Sequence, residues 1–123
     1  MRNILFIGLG GFIGAISRYF LSGWIQTLSR NTVFPWGTIG VNVLGCFVIG
    51  VLGSWNDKFD LFSSSTRLFI FIGLLGGFTT FSTFGYETLA FLRDGEFIHA
   101  ALNMTLHLFL GLGAVWLGYS LAG

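Results

Sequence analysis

A polar, glycine-rich segment interrupts the third of four long apolar stretches in this chain. Two glycines, Gly76 and Gly77, precede two threonines, Thr79 and Thr80, near the middle of that stretch. Adjacent glycines weaken a helix, and threonine hydroxyls can bond locally to carbonyl groups that a helix releases. We therefore predict a break in the helix at about Gly76–Thr79, where released carbonyl oxygens would suit a hard cation such as Na⁺. A continuous helix with a glycine packing notch is the alternative.

Beyond the expected break, the residues sort by helical period into two faces. Thr80, Thr83 and Glu87 lie at i, i+3 and i+7 and form one polar stripe. Phe81 and Phe84 are three residues apart and share an adjacent face. The edges of aromatic rings carry partial positive charge, so two such rings can contact an anion without offering a proton or a fixed charge. Ordinary lipid-facing or core aromatic residues are the alternative.

The other apolar stretches contain few polar side chains. Asn42 lies deep in the second stretch, where its amide must find partners, so it either joins helices or lines a path. Arg18, near the end of the first, either reaches the membrane surface or raises the local anion concentration at a vestibule. His99, Asn103 and His107 lie at i, i+4 and i+8 on one face of the fourth. No carboxylate or cysteine accompanies them, so we predict a polar stripe rather than a metal site.

The elements that position these residues must be membrane helices. Hydrophobic residues make up 54% of the 123 residues and charged residues only 9%, and the mean hydropathy is +0.81. A soluble domain carries roughly a quarter charged residues. The composition therefore argues against a cytosolic enzyme, and the net charge of +1 gives no basic patch for a nucleic acid. The single Cys46 cannot form an internal disulfide.

Four windows are long enough to cross a membrane, which takes roughly 20 apolar residues as helix. They cover about residues 4–24, 35–55, 68–92 and 97–121. We predict an all-α membrane protein, a single domain of four transmembrane helices with the third broken near mid-membrane. The GxxxG pairs Gly10–Gly14 and Gly73–Gly77, with the small pair Ala114–Gly118, favour close helix packing. Glycine is also simply common in membrane helices, which is the alternative reading of any single pair.

The basic residues give no clear orientation, although their distribution normally sets it. One side of the membrane would carry Arg2, Lys58 and Arg67. The other would carry Arg30 and Arg93, with one more arginine near that end of the first helix. Copies inserted in both orientations could pair antiparallel, while a single orientation set by weak cues is an equal alternative. Four helices are few to enclose a polar path, so we expect an oligomer.

Three segments form a more specific pattern. They are residues 10–19 (GGFIGAISRY), residues 37–42 (GTIGVN) and, above all, residues 76–84 (GGFTTFSTF), which Glu87 follows. This pattern closely resembles the CrcB/Fluc family of fluoride channels, and the resemblance covers the whole chain in length and four-span layout. It implies an antiparallel, dual-topology homodimer in the bacterial cytoplasmic (inner) membrane. Its two pores would let fluoride leave the cytoplasm passively and so lower its toxicity.

The resemblance also implies roles for individual residues. The anion pathway would comprise Asn42, Phe81, Ser82, Thr83 and Phe84. Arg18 and Glu87 match the family's first-helix arginine and third-helix glutamate, and we place them in a vestibule or polar track with Thr80, Asn103 and His107. The backbone carbonyls of Gly76 and Thr79, with those of a second subunit, would hold a structural Na⁺ at the dimer centre. Because fluoride is small and strongly hydrated, donors from the pathway would replace its water, whereas chloride would be too large to engage them together.

The sequence differs from the family pattern in one place, and one rival function has to be compared with the fluoride channel. Some family members carry hydroxyl residues one and two turns after the position of His107, where this chain has Gly111 and Val115. The polar track then ends at Asn103 and His107, or water fills the space beside Gly111. The rival is a small dual-topology, proton-coupled exporter of the multidrug type, which needs a carboxylate in its first helix, and none is present there. A membrane subunit that transports nothing would leave the polar segment of the third window unexplained.

Overall fold

The computed structural model describes all 123 residues, and they form four long apolar segments of helix. Helix α1 is Arg2–Ser29, α2 is Trp36–Phe59, the third span is Ser64–Arg93 and the last helix is Phe97–Ala122. Each is long and apolar enough to cross a membrane. The prediction of an all-helical protein with four candidate spans is therefore confirmed. The helices are longer than the apolar windows, since those windows leave out the polar residues in the end turns of the helices.

The third span consists of two helices with a short extended segment between them. Its first helix, α3, covers residues 64–78 and is wound as a π-helix over Leu68–Leu75. Its second helix, α4, is Phe81–Arg93, and the last span is therefore α5. Thr79 (φ −92°, ψ 157°) and Thr80 (φ −150°, ψ 106°) both have extended backbone. The third span is thus interrupted near its middle.

The position of this interruption corrects the sequence prediction. The break lies at Thr79–Thr80 rather than at Gly76–Thr79, because Gly76–Phe78 is still helical. The amide and the hydroxyl of Thr79 both donate to the carbonyl of Leu75, at 3.0 and 2.9 Å, and these bonds complete the last turn of α3. The glycine pair therefore lies inside a helix, where Gly77 serves a different purpose.

That purpose is close packing of α1 against α3. A Cβ atom added to Gly10 or Gly14 would overlap backbone carbonyl oxygens of α3, and one added to Gly73 would lie 2.7 Å from the carbonyl oxygen of Ile7. A Cβ on Gly77 would lie 2.8 Å from a carbonyl oxygen of α1. The two GxxxG pairs therefore face each other, and their missing side chains let the two backbones touch.

Helices α2 and α5 form the other close pair. A Cβ atom on Gly50 would overlap the carbonyl oxygen of Val115, and one on Gly118 would overlap that of Phe47. A small apolar cluster closes one end of the bundle, where the α1–α2 connection meets α4 and α5; its buried members are Phe34, Ile39, Phe91 and Ala100. Only 19 of 123 residues are buried in the chain, and many large apolar side chains are exposed on its outside, as expected of a protein that faces lipid.

Candidate functional site

The break in the third span is held open by one side chain from α2. The Thr80 amide donates to Asn42 Oδ1 at 2.7 Å, and Asn42 Nδ2 donates to the Thr80 carbonyl at 3.1 Å. A primary amide can serve both backbone groups of one extended residue, since it carries a donor and an acceptor side by side. Thr80 is buried, so these groups would otherwise lie unpaired in an apolar span. Asn42 therefore joins α2 to the third span and supports the break.

Thr80 also begins the next helix. Its Oγ1 accepts a hydrogen bond from the Thr83 amide at 3.2 Å and bonds the Thr83 hydroxyl at 2.9 Å, and Ser82 Oγ lies 3.3 Å away. This is the geometry of a threonine N-cap. The predicted polar stripe thus begins with a cap rather than with a helical turn. Three hydroxyl groups meet where the positive end of the α4 dipole points into the break.

The carboxyl end of α3 presents backbone oxygens to the same place. In a continuous helix the Thr80 amide would bond the Gly76 carbonyl, but it donates to Asn42 instead. The Thr83 amide, which would bond the Thr79 carbonyl, is taken by the Thr80 hydroxyl. Both carbonyls are hard ligands of the kind that Na⁺ accepts, and a Cβ on Gly76 would meet nothing nearer than 3.7 Å. These two oxygens are of the chemical type that fits a small cation, which would need further oxygens to complete its coordination.

Arg18 lies at this carboxyl end as well. Its Nη1 donates to the Thr79 carbonyl oxygen at 3.2 Å, and its side chain is half-buried. A guanidinium group beside the last carbonyls of a helix is stabilised by their partial negative charge. Sequence reasoning placed Arg18 at a vestibule, and the structure shows that it contacts the break directly.

His107 extends the network from Asn42 to α5. Its Nδ1 is 3.0 Å from the Asn103 carbonyl, so Nδ1 carries the proton and donates there. Its Nε2 is 3.1 Å from Asn42 Nδ2 and therefore accepts from the amide. The tautomer follows from these partners. The Phe84 ring lies 4.4 Å from the imidazole, and the Phe81 ring lies 5.4 Å from that of Phe84.

These side chains border an apolar cavity of about 520 Å³ between α2, the broken span and α5. Its walls include Asn42, Thr79, Thr80, Phe81, Phe84 and His107, followed along the helices by Cys46, Gly111 and Val115. Phe81 is 83% exposed, so its ring projects from the surface of the chain while it also borders the cavity. Beyond His107 the α5 wall has no hydroxyl group, as the sequence indicates. Polar and aromatic groups are therefore concentrated at one end of this cavity.

A second cavity, of about 720 Å³, is polar and lies under the α1–α2 connection. Glu87 reaches its floor, where Glu87 Oε1 accepts a 2.6 Å hydrogen bond from the Thr38 hydroxyl. Glu87 Oε2 is buried and has no protein partner. Gln26 fixes the rim, since its Nε2 donates to the carbonyl of Phe34 at 3.0 Å and its Oε1 accepts from the Gly37 amide at 3.0 Å. Glu87 thus faces this polar cavity, and Thr38, one turn before Asn42 on α2, lines it as well.

Asn103 has a different role from the one its spacing predicts. It is fully buried, its Nδ2 donates to the Thr88 hydroxyl at 3.0 Å, and it does not border the apolar cavity. His99 lies near the end of the bundle, where Nδ1 contacts Glu96 Oε2 at 2.9 Å. Of the α5 stripe, only the His107 side chain therefore reaches the break.

Comparison with known proteins identifies the family of this chain. The family model described as CrcB-like protein, Camphor Resistance (CrcB), matches residues 5–119. The chain belongs to this family. A protein of Geotalea daltonii named fluoride-specific ion channel FluC is 41% identical over 122 residues, which is 99% of this chain and 98% of that protein. A protein of the same name from Geobacter sulfurreducens is 46% identical over 118 residues, 96% of this chain and 94% of that protein.

Membership settles the broad class of this CrcB-like protein. The family consists of ion channels and not of enzymes, so the resemblance noted in the sequence is confirmed. With four apolar helices, the CrcB-like chain is an integral multi-pass protein of the bacterial inner membrane.

Three contributing residues of this CrcB-like chain received no role from the sequence. Thr38 is one turn before Asn42 on α2, and that i, i+4 spacing is the only signal that could have identified it. Thr88 and Gln26 carry no such signal, because their partners come from other elements.

Proposed function

We propose that this protein is a fluoride-selective, passive ion channel that exports fluoride from the cytoplasm and lowers its toxicity. The relatives named as fluoride-specific channels support this function. The observation that carries it is the broken third span, in which Asn42 holds Thr80 extended and gathers hydroxyl groups, a helix amino end and two phenylalanine rings beside one cavity. These groups offer hydrogen atoms and ring edges to an anion, and none of them is a fixed charge.

Selectivity follows from how these groups replace water. Fluoride is a compact, strong hydrogen-bond acceptor, so Ser82 and Thr83 hydroxyls and the first amides of α4 can take the place of its hydration shell. Ring edges of Phe81 and Phe84 add weak positive contacts. Chloride is larger and cannot engage the same donors together. Fluoride therefore makes more simultaneous contacts in the pathway than chloride does, and the pathway favours fluoride.

Asn42 can join the pathway only by exchanging a partner. One of its N–H groups bonds the Thr80 carbonyl and the other bonds His107 Nε2, so the amide has no free donor. Fluoride would replace His107 as acceptor of the second N–H, while the first keeps Thr80 in place. The same side chain then supports the break and binds the ion as it passes.

We further propose an antiparallel homodimer with two pores. Phe81 is 83% exposed beside an open cavity, and one protomer leaves that cavity incompletely walled, so a second copy would complete it. The even distribution of basic residues permits both orientations in one membrane. A terminal tag that reacts with impermeant reagents on both faces of the membrane would support dual topology. Reaction on one face alone would contradict it.

A structural Na⁺ is the proposed cofactor. The Gly76 and Thr79 carbonyls of each protomer would hold it at the dimer centre, where its charge would neutralise the facing negative ends of two α3 helices. Two protomers would supply four oxygens, which one protomer cannot. Removal of Na⁺ should then weaken assembly.

The decisive experiment uses purified protein in liposomes loaded with potassium fluoride, with a K⁺ ionophore to clamp the voltage and a fluoride electrode outside. We expect rapid fluoride loss, no comparable chloride loss from matched liposomes, and no effect of a protonophore. Fluoride loss that required a proton gradient would favour the proton-coupled exporter. Folded protein that passed no fluoride would refute the channel.

A further inference from the structure

Arg18 differs from every other basic residue of this chain in its position. The other five, namely Arg2, Arg30, Lys58, Arg67 and Arg93, all lie in end turns of helices or directly after them. Arg18 lies well inside α1. A charged side chain inside a membrane span is costly unless it has a partner. The partner of the Arg18 guanidinium group is a backbone oxygen rather than a carboxylate.

The packing of α1 brings Arg18 to this oxygen. Gly10, Gly14 and Arg18 are four residues apart and share one face of α1. The two glycines lie against the backbone of α3, so the next residue on that face arrives where α3 ends. The close contact between α1 and α3, which requires these two glycines, therefore also places the Arg18 guanidinium group at the break.

The Thr79 carbonyl is free to accept from Arg18 because α4 has its own cap. The Thr83 amide bonds the Thr80 hydroxyl, which leaves the Thr79 oxygen without its helical partner. This oxygen also lies at the negative end of α3. Arg18 Nη1 donates to it at 3.2 Å. The break thus contains a cation that is covalently part of the protein.

We propose that Arg18 competes electrostatically with the Na⁺ at this carbonyl and so sets the Na⁺ concentration at which two protomers assemble. The inference rests on the sodium site and the dimer proposed above. A guanidinium group already satisfies the Thr79 oxygen and repels a second cation that approaches it. By linkage, each cation weakens the binding of the other. Arg18 therefore holds the break in the free protomer and raises the Na⁺ requirement of the dimer.

The test measures the fraction of dimer against Na⁺ concentration, with N-methyl-D-glucamine keeping ionic strength constant. Arg18→Gln removes the charge, and Arg18→Lys keeps it. We expect the Na⁺ midpoint of Arg18→Gln to fall by about tenfold and that of Arg18→Lys to stay within about twofold of the unmodified protein. Arg30→Gln is the matched control, since it removes the same charge outside the spans and should leave the midpoint unchanged.

The opposite result has a clear meaning. An unchanged or higher midpoint in Arg18→Gln would overturn the competition and leave Arg18 as a group that merely orients the carbonyl. Dimerisation of the unmodified protein without any response to Na⁺ would overturn it as well. Fluoride flux is not part of this readout, so failure here is separable from failure of the channel function.

A second measurement uses the unmodified protein and does not depend on how the variants fold. Phenylglyoxal modifies arginine side chains, and mass spectrometry resolves the modified peptides. At protein concentrations where the dimer persists, we expect Na⁺ to accelerate modification of Arg18 and to leave Arg30 unaffected. Slower or unchanged modification of Arg18 in Na⁺ would overturn the proposal.

Discussion

Replacement of Asn42 by alanine should damage the break more than any other single loss of a side-chain amide. The substitution removes the acceptor of the Thr80 amide and the donor to the Thr80 carbonyl. It also removes the partner of His107 Nε2. No other side chain bonds these two backbone groups in the structure, and Thr80 is buried.

The size of the effect follows from the two backbone groups that lose their partners. A buried donor or acceptor without a partner costs about 1–3 kcal/mol, so the two groups of Thr80 together cost about 2–6 kcal/mol. Asn42 is half-buried, and water can replace part of the lost bonding. We therefore expect Asn42→Ala to lower the free energy of unfolding by about 2–4 kcal/mol and to abolish fluoride flux.

The assay is unfolding in mixed micelles, followed by the fluorescence of the four tryptophans, together with fluoride efflux from liposomes. Asn56→Ala is the matched control, because it makes the same change in α2 at a side chain whose Oδ1 has no partner. Equal stability of Asn42→Ala and Asn56→Ala, within about 0.5 kcal/mol, would refute this reading of the break.

Three further predictions concern packing, the cavity and the exposed ring. Gly14→Ala should lower the free energy of unfolding by about 2 kcal/mol or more, because its Cβ would overlap the α3 backbone. Gly23→Ala, in the same helix but with open space around it, should be neutral or stabilising. Unfolding curves of the two variants, measured in parallel, test this difference. A methanethiosulfonate reagent should block fluoride efflux by reaching Cys46, the only thiol in the chain, and full flux after complete labelling would show that the cavity is not on the pathway. Phe81→Ile should abolish fluoride efflux. Phe109→Ile, which changes a ring that is 69% exposed on α5, should leave the efflux intact. Equal efflux rates for the two variants would contradict the role of the Phe81 ring.

The parts of the fold that follow from local sequence were predictable. Apolar length gives four spans, and GxxxG spacing identifies the glycines that let α1 and α3 touch. The polar segment after Gly77 marks the broken span. Each of these signals is contained within a single helix, and no distant partner is needed to interpret it.

The exact place of the break was not predictable, because its partners are distant in the chain. The Thr80 backbone is satisfied by Asn42, 38 residues earlier, and the Thr79 carbonyl by Arg18, 61 residues earlier. Local reasoning assigned the interruption to the glycines, which have the weakest helical preference. Gly77 instead packs against α1 from inside the helix, and the interruption falls at Thr79 and Thr80.

The same limit explains Asn103. Its spacing from His107 places both on one face of α5, and this led to a shared polar track. The structure gives their side chains different partners, because the Asn103 amide donates to the Thr88 hydroxyl on α4 while the His107 ring bonds Asn42 and the Asn103 carbonyl. A helical period fixes which face a residue occupies, and neighbouring helices decide what that face meets.

The reversal potential in a planar bilayer is the most direct test of passive, fluoride-selective conduction. With a tenfold fluoride gradient and equal pH on both sides, the current should reverse at about 59 mV, of the sign expected for an anion, and an added chloride gradient should not move it. A reversal potential that followed chloride or protons, or fluoride transport without any current, would contradict a selective passive channel.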